Sequence, residues 1–122
     1  MTAVSIGLFG TLFTGLGAWA GIGSSSFAAI LADFGPENDH LVHDFGAASV
    51  AIGVALLVAV RRVAWRTPVL LVATLWNGLH AVSHAVDLGD AASRTVGVVE
   101  LALLVGGSAL LGGLAIASKE DA

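Results

Sequence analysis

Residues 96–117 read VGVVELALLVGGSALLGGLAIA, an unbroken apolar run with one charge, Glu100. About 20 mostly apolar residues in a helix cover the hydrocarbon of a bilayer, so this run is long enough to span one. Working outward, three more runs meet the same length: residues 4–22, 41–60 and 68–88. None shows the period-2 alternation of a strand. An open sheet would also leave its edges unsatisfied in lipid. The expected fold is all-α: a transmembrane four-helix bundle, with residues 1–122 forming one membrane domain. Pro68 suits the first turn of the third span. The first run starts close to Met1 with no basic segment ahead of it, so it reads as a retained helix rather than a cleaved leader. The stretch from Ser24 to Asn38 is the longest connection. Its Phe27–Leu31 core either extends the first span or lies along the outer interface. Gly35-Pro36 ends it, and Asn38 or Asp39 can N-cap the second span.

Composition agrees. The chain is 57% hydrophobic and only 11% charged, where soluble domains carry about a quarter charged residues. Cysteine is absent, which excludes disulfides, thiolate metal sites and thiol catalysis. No basic stripe is present, so nucleic acid is not an expected partner. Nucleotide-binding, phosphate-loop and nucleophile-elbow motifs are missing as well.

Orientation follows from Lys and Arg. Arg61, Arg62 and Arg66 fill the short turn between the second and third spans, and Lys119 follows the fourth. The other loops and their edges hold Arg94 against Asp33, Glu37, Asp39, Asp87 and Asp90. The basic turn and both termini are therefore expected on the cytoplasmic side, with Trp65 at the inner interface. Sixteen glycines concentrate in the first and fourth spans. Gly17 and Gly21, and Ser108 and Gly112, have small-xxx-small spacing. Such faces serve either internal helix packing or a homo-oligomer interface.

The polar residues inside the spans are few, and there they default to function. His40, His43, His80 and His84 all lie in or at the edge of the second and third spans. Counting outward from a hairpin centred near Val63 and Ala64 levels Asp44 with His84. Counting from Asp90 levels Glu100 with His80. Asn77, His80, His84 and Asp87 share one helical stripe, as do His40, His43, Asp44 and Ala47. If both stripes turn inward, imidazoles and carboxylates from three spans converge beneath the outer surface. Glu100, deep in an apolar run, should be protonated, ion-paired or bound to a cation.

Such a set suits zinc, copper or iron, with His43, His80, His84, Glu100 and Asp44 as ligands. His40, Asn77 and Asp87 would be alternative ligands or orienting partners. Haem b held by one histidine from each of the second and third spans fits the same residues. Proton transfer along His84, His80 and Glu100 needs no metal. Structural readings stand beside these. His40, His43 and His84 also suit a solvated headgroup layer, and His80, Glu100 and Asn77 suit interhelical hydrogen bonds.

The segment Phe34-Gly35-Pro36-Glu37-Asn38-Asp39-His40-Leu41-Val42-His43-Asp44-Phe45-Gly46-Ala47-Ala48 leads into a glycine-containing span. With the short basic turn and the small chain, it resembles the DoxX-like group of small bacterial four-helix membrane proteins. The resemblance implies a bacterial plasma-membrane location and links to quinone-coupled sulfur oxidation and oxygenase-like chemistry. A quinone or another lipophilic molecule would then be a partner. Three functions follow as expectations: a metal- or haem-binding, redox-active membrane protein; a non-enzymatic accessory subunit of a larger membrane complex; and an oligomeric proton- or ion-coupled carrier.

Overall fold

A computed structural model describes residues 2–31, 34 and 38–120. The Gly35-Pro36 break and the charges Asp33 and Glu37 lie outside the described residues. Among the described residues five helices follow in order: α1 (Thr2–Ile22), α2 (Ser24–Leu31), α3 (Asp39–Arg61), α4 (Val63–Val86) and α5 (Arg94–Glu120). Four of them, all but α2, are long and apolar enough to cross a membrane.

Two antiparallel pairs, α1 with α3 and α4 with α5, make the closest contacts, and α3 joins the pairs by packing on α4. Lipid tails are as apolar as leucine, so helices in a bilayer associate through close packing rather than a hydrophobic drive. Glycine supplies that packing in the first pair. A Cβ at Gly17 would lie 2.6 Å from the Gly46 carbonyl oxygen, and one at Gly46 would lie 2.8 Å from that of Gly17. One heptad further along each helix, a Cβ at Gly53 would lie 2.8 Å from the Gly10 oxygen, and one at Gly10 would lie 3.1 Å from that of Gly53. Two reciprocal glycine contacts thus fix one register. Ser49 is buried between them. A core of Ile6, Phe13, Leu56 and Ala59 lines this seam toward the Arg61 end and meets Leu70, Ala73, Leu111 and Ala115 of the other pair.

The α4–α5 pair uses a polar clamp. Asn77 Nδ2 donates to the Leu104 carbonyl at 2.7 Å and to Ser108 Oγ at 3.0 Å. Gly112 sits against Thr74, and Gly107 sits against the Asn77 amide. Of the four residues with small-xxx-small spacing, Gly17, Ser108 and Gly112 are engaged within the chain, and the Gly21 backbone nitrogen lies 3.0 Å from where a Gly46 Cβ would stand. Asn77→Ala should lower the unfolding free energy by about 0.6–1.7 kcal/mol, the range measured for interhelical polar contacts in lipid. Reversible unfolding in mixed micelles measures it, and an unchanged midpoint would mean the amide contributes nothing.

Helix boundaries differ from the expected ones at two places. Only Arg62 separates α3 from α4; its backbone is extended, and its N–H donates to the Val58 carbonyl at 3.1 Å. Helix α4 starts at Val63, so Pro68 lies inside it and not in its first turn. The arginines do not lengthen the turn because Arg66 folds back over it. Its guanidinium donates to the Ala59 and Val60 carbonyls at 3.3 and 3.1 Å, covering acceptors that the end of α3 leaves open. At the opposite end, Gly23 separates α2 from α1, and Trp19 Nε1 donates to Ser26 Oγ at 2.8 Å across that joint. Asn38 is the N-cap of α3, accepting from the Leu41 N–H at 3.2 Å, and Asp39 adds a carboxylate to the first turn.

Candidate functional site

Helix α4 carries its polar stripe toward α5. His84 Nδ1 lies 3.6 Å from Glu100 Oε2, and the two side chains are only 11% and 14% exposed. This is the one close His–carboxylate contact between helices among the described residues. Glu100 stands about 9 Å along the axis from the start of α5 at Arg94, at 1.5 Å per residue. Its carboxyl therefore lies inside the apolar length of the helix. Leu88 and Ala91, in the connection above, pack over Gly97. Phe34 pairs with Ala91 in an isolated bridge, so the two connections at the end opposite Arg61 and Arg62 meet beside His84.

Aromatic rings surround the histidines. The His80 ring is 4.7 Å from that of His84, centre to centre, and the Phe34 ring is 4.5 Å from His84, both edge-on. Trp76 lies parallel to His80 at 6.5 Å, and Phe45 of α3 is 5.3 Å from it. Phe45 continues to Phe27 of α2 and on to Trp19 of α1, at 5.4 and 5.3 Å. A chain of rings thus links α1, α2, α3 and α4 and reaches the His84–Glu100 pair through His80.

The expected convergence from three spans is partly met. His80, His84 and Glu100 come together. His40, His43, Asp44 and Ala47 share a stripe, but it is the exposed stripe of α3. Asp44 faces His40 of its own helix at 3.6 Å, with the side chains 67% and 89% exposed, not His84. The reason is steric. Gly46, Ser49 and Gly53 must face α1 for the backbones to meet, and that rotation turns the His40–His43–Asp44 face away. Phe45, beside the glycine seam, is what α3 presents to α4. Asp87 is the exposed C-cap of α4, its N–H bonded to the Ser83 carbonyl at 2.9 Å. Asn77 is committed to the α5 clamp. Glu100 is level with His84, one turn from its expected position at His80.

Two donors on two helices hold a metal weakly, since structural zinc sites use four protein ligands and catalytic ones three. Among the described residues, no group of three or more histidine or carboxylate side chains is disposed to hold one. A haem held between α3 and α4 would need a histidine where α3 places Phe45. The chemistry these side chains do offer is proton exchange. An imidazole and a carboxyl in near contact, walled by rings, can hold one proton between them with no net charge on the pair, and releasing that proton leaves the pair at −1. Helical spacing of the polar residues does not reveal the aromatic wall, although Trp76 stands one turn before His80 in sequence and Phe45 directly follows the His43-Asp44 dipeptide.

No protein-family model matches this chain, and no curated protein and no solved structure matches it either.

Proposed function

We propose that the chain is a multi-pass protein of the bacterial plasma membrane, a four-helix bundle with both termini in the cytoplasm, whose His84–Glu100 pair binds and releases a proton on the outer side. The observation that carries the reading is the 3.6 Å approach of His84 Nδ1 to Glu100 Oε2 between two helices each apolar enough to span. An ionisable residue facing another helix at that depth is costly to keep, so it is retained for what it does. Orientation rests on Arg61, Arg62 and Arg66 at one end of the helices and Lys119 at the same end. That end is opposite the His84–Glu100 pair. His80, stacked on Trp76 and 4.7 Å from His84, extends the pair inward as a second imidazole.

The test is infrared difference spectroscopy of the protein in lipid nanodiscs, stepping the pH across the neutral range. A carboxyl band that appears and disappears with pH, vanishes in E100Q and changes position in H84Q is the expected result. A spectrum identical in wild type and E100Q would overturn the reading. Elemental analysis of the same sample separates the metal reading: stoichiometric zinc, copper or iron, lost in H84Q, would replace proton exchange with metal binding. Proteoliposomes with a pH dye inside report whether the pair passes its proton across the bilayer, and flux lost in E100Q would make the chain a carrier.

A further inference from the structure

We infer that the groove between α1 and α3 at the basic end of the molecule is a binding site for one acyl chain of an anionic phospholipid, with Arg61 holding its phosphate. The inference rests on the membrane reading above and is independent of the His84–Glu100 pair. The groove has a volume of about 630 Å³ and is walled by Val4, Gly7, Leu8 and Thr11 of α1 and by Leu57 and Arg61 of α3, among others. It opens outward, away from the α4–α5 pair. From Val4 to Thr11 it runs about 10 Å along α1, at 1.5 Å per residue.

Three features select the occupant. First, the walls are apolar. Among the described lining residues the only hydroxyl, that of Thr11, donates to the Gly7 carbonyl of its own helix at 2.9 Å, so it offers no donor to a ligand. Second, Gly7 leaves out a side chain where one would fit: a Cβ there would sit in ordinary contact with Val60 Cγ2 at 3.6 Å. The depression is therefore not forced by backbone contact, unlike the glycine seam beside it. Third, among the described residues lining the groove the one charged side chain is a guanidinium. Arg61 is exposed in the last turn of α3, at the end where the headgroups of the inner leaflet would lie. An apolar trough ending in a cation fits an amphiphile with a tail and a negative head. A neutral lipid would fill the trough equally well and leave the cation unmatched. A soluble anion would meet Arg61 and leave the trough empty. Unfilled, its walls forgo the dispersion contacts that close packing supplies. Arg66, by contrast, spends hydrogen bonds on the Ala59 and Val60 carbonyls, which leaves Arg61 as the arginine lining the groove.

Native mass spectrometry of the full chain in detergent, with phosphatidylglycerol or phosphatidylcholine of identical chains added, tests this. Wild type should retain one phosphatidylglycerol in preference to phosphatidylcholine. R61A should reduce that preference roughly fivefold, the factor expected for one basic contact to an anionic lipid. R62A, whose side chain does not line the groove, should leave it within twofold, about the margin of an exposed charge pair. G7L should fill the trough and lower retention of both lipids without lowering the thermal unfolding temperature. Equal retention of the two lipids by wild type overturns the inference, as does a preference that R61A and R62A lower alike. If G7L fails to fold, the R61A and R62A comparison decides alone. Insertion into nanodiscs, read by resistance to alkaline extraction, separates the readings: a chain that inserts without lipid preference sinks only this site, and one that does not insert sinks the membrane reading too.

Discussion

Gly53→Leu should cost the protein its α1–α3 seam, with folded material in detergent falling below detection or unfolding several kcal/mol more easily. Added methylenes in a packed core cost about 1–3 kcal/mol when side chains can shift. Here they cannot. A Cβ at Gly53 would overlap the Thr14 hydroxyl, lie 2.5 Å from the Thr14 backbone nitrogen and lie 2.8 Å from the Gly10 carbonyl. Two of these three neighbours are backbone, so the helices would have to separate. Separation would also break the Gly17–Gly46 contact one heptad away. Gly113→Leu is the control. Nothing lies within 4 Å of a Cβ there. Replacing a helix glycine then gains helix propensity, up to about 1 kcal/mol. Thermal unfolding of both variants in one detergent gives the comparison. Equal stability of the two would mean the glycine seam does not hold the pair together.

The contrast between these glycines explains what the sequence made legible. Span number and approximate span limits follow from length and apolar content, which the bilayer imposes on each helix separately. Partner faces do not follow that way. Gly17 and Gly21 have the spacing of a packing motif, yet Gly17 is buried against Gly46 while Gly21 is exposed. The deciding pattern is the heptad repeat shared by two helices, Gly10 and Gly17 against Gly46 and Gly53, and it is visible only when both runs are read together in antiparallel register. That pairing fixes the rotation of α3: glycines facing α1 place His40, His43 and Asp44 on its exposed stripe.

The one-turn offset between His80 and His84 opposite Glu100 has a different origin. A symmetric count treats the connection as a straight reversal centred on Asp90. The chain instead makes a turn at residues 87–90, closed by the Asp90 N–H on the Asp87 carbonyl at 2.9 Å. Leu88 and Ala91 then pack down on Gly97. The connection is asymmetric, and α5 is displaced against α4 by about one turn. Loop geometry of that kind depends on tertiary contacts, here the pairing of Phe34 with Ala91, and hydropathy does not encode it. The Arg62 joint shows the same limit. Three arginines within six positions read as a solvated turn, whereas one of them, Arg66, is turned back onto the helix end and the break shrinks to a single residue.

The His84–Glu100 pair should behave in a double-mutant cycle as a coupled unit. Glu100→Leu alone leaves an imidazole in apolar surroundings without its carboxyl neighbour. His84→Leu alone leaves the carboxyl facing leucine. Removing one member of a buried pair costs about 3–5 kcal/mol in water-soluble proteins, because the other keeps its desolvation cost and loses its partner. Exposure of 11% and 14% puts the pair close to that buried limit. Replacing both by leucine removes the two polar groups together and restores an apolar contact, so the double variant should be more stable than either single one. The coupling energy, the double-variant loss minus the two single losses, should then be at least as large in magnitude as the smaller single loss, about 3 kcal/mol or more. Additive losses would show that His84 and Glu100 do not sense each other, and the proton-sharing site would go with them. Proton uptake should vanish in the double variant while the fold persists, and that combination separates the proposed function from stability.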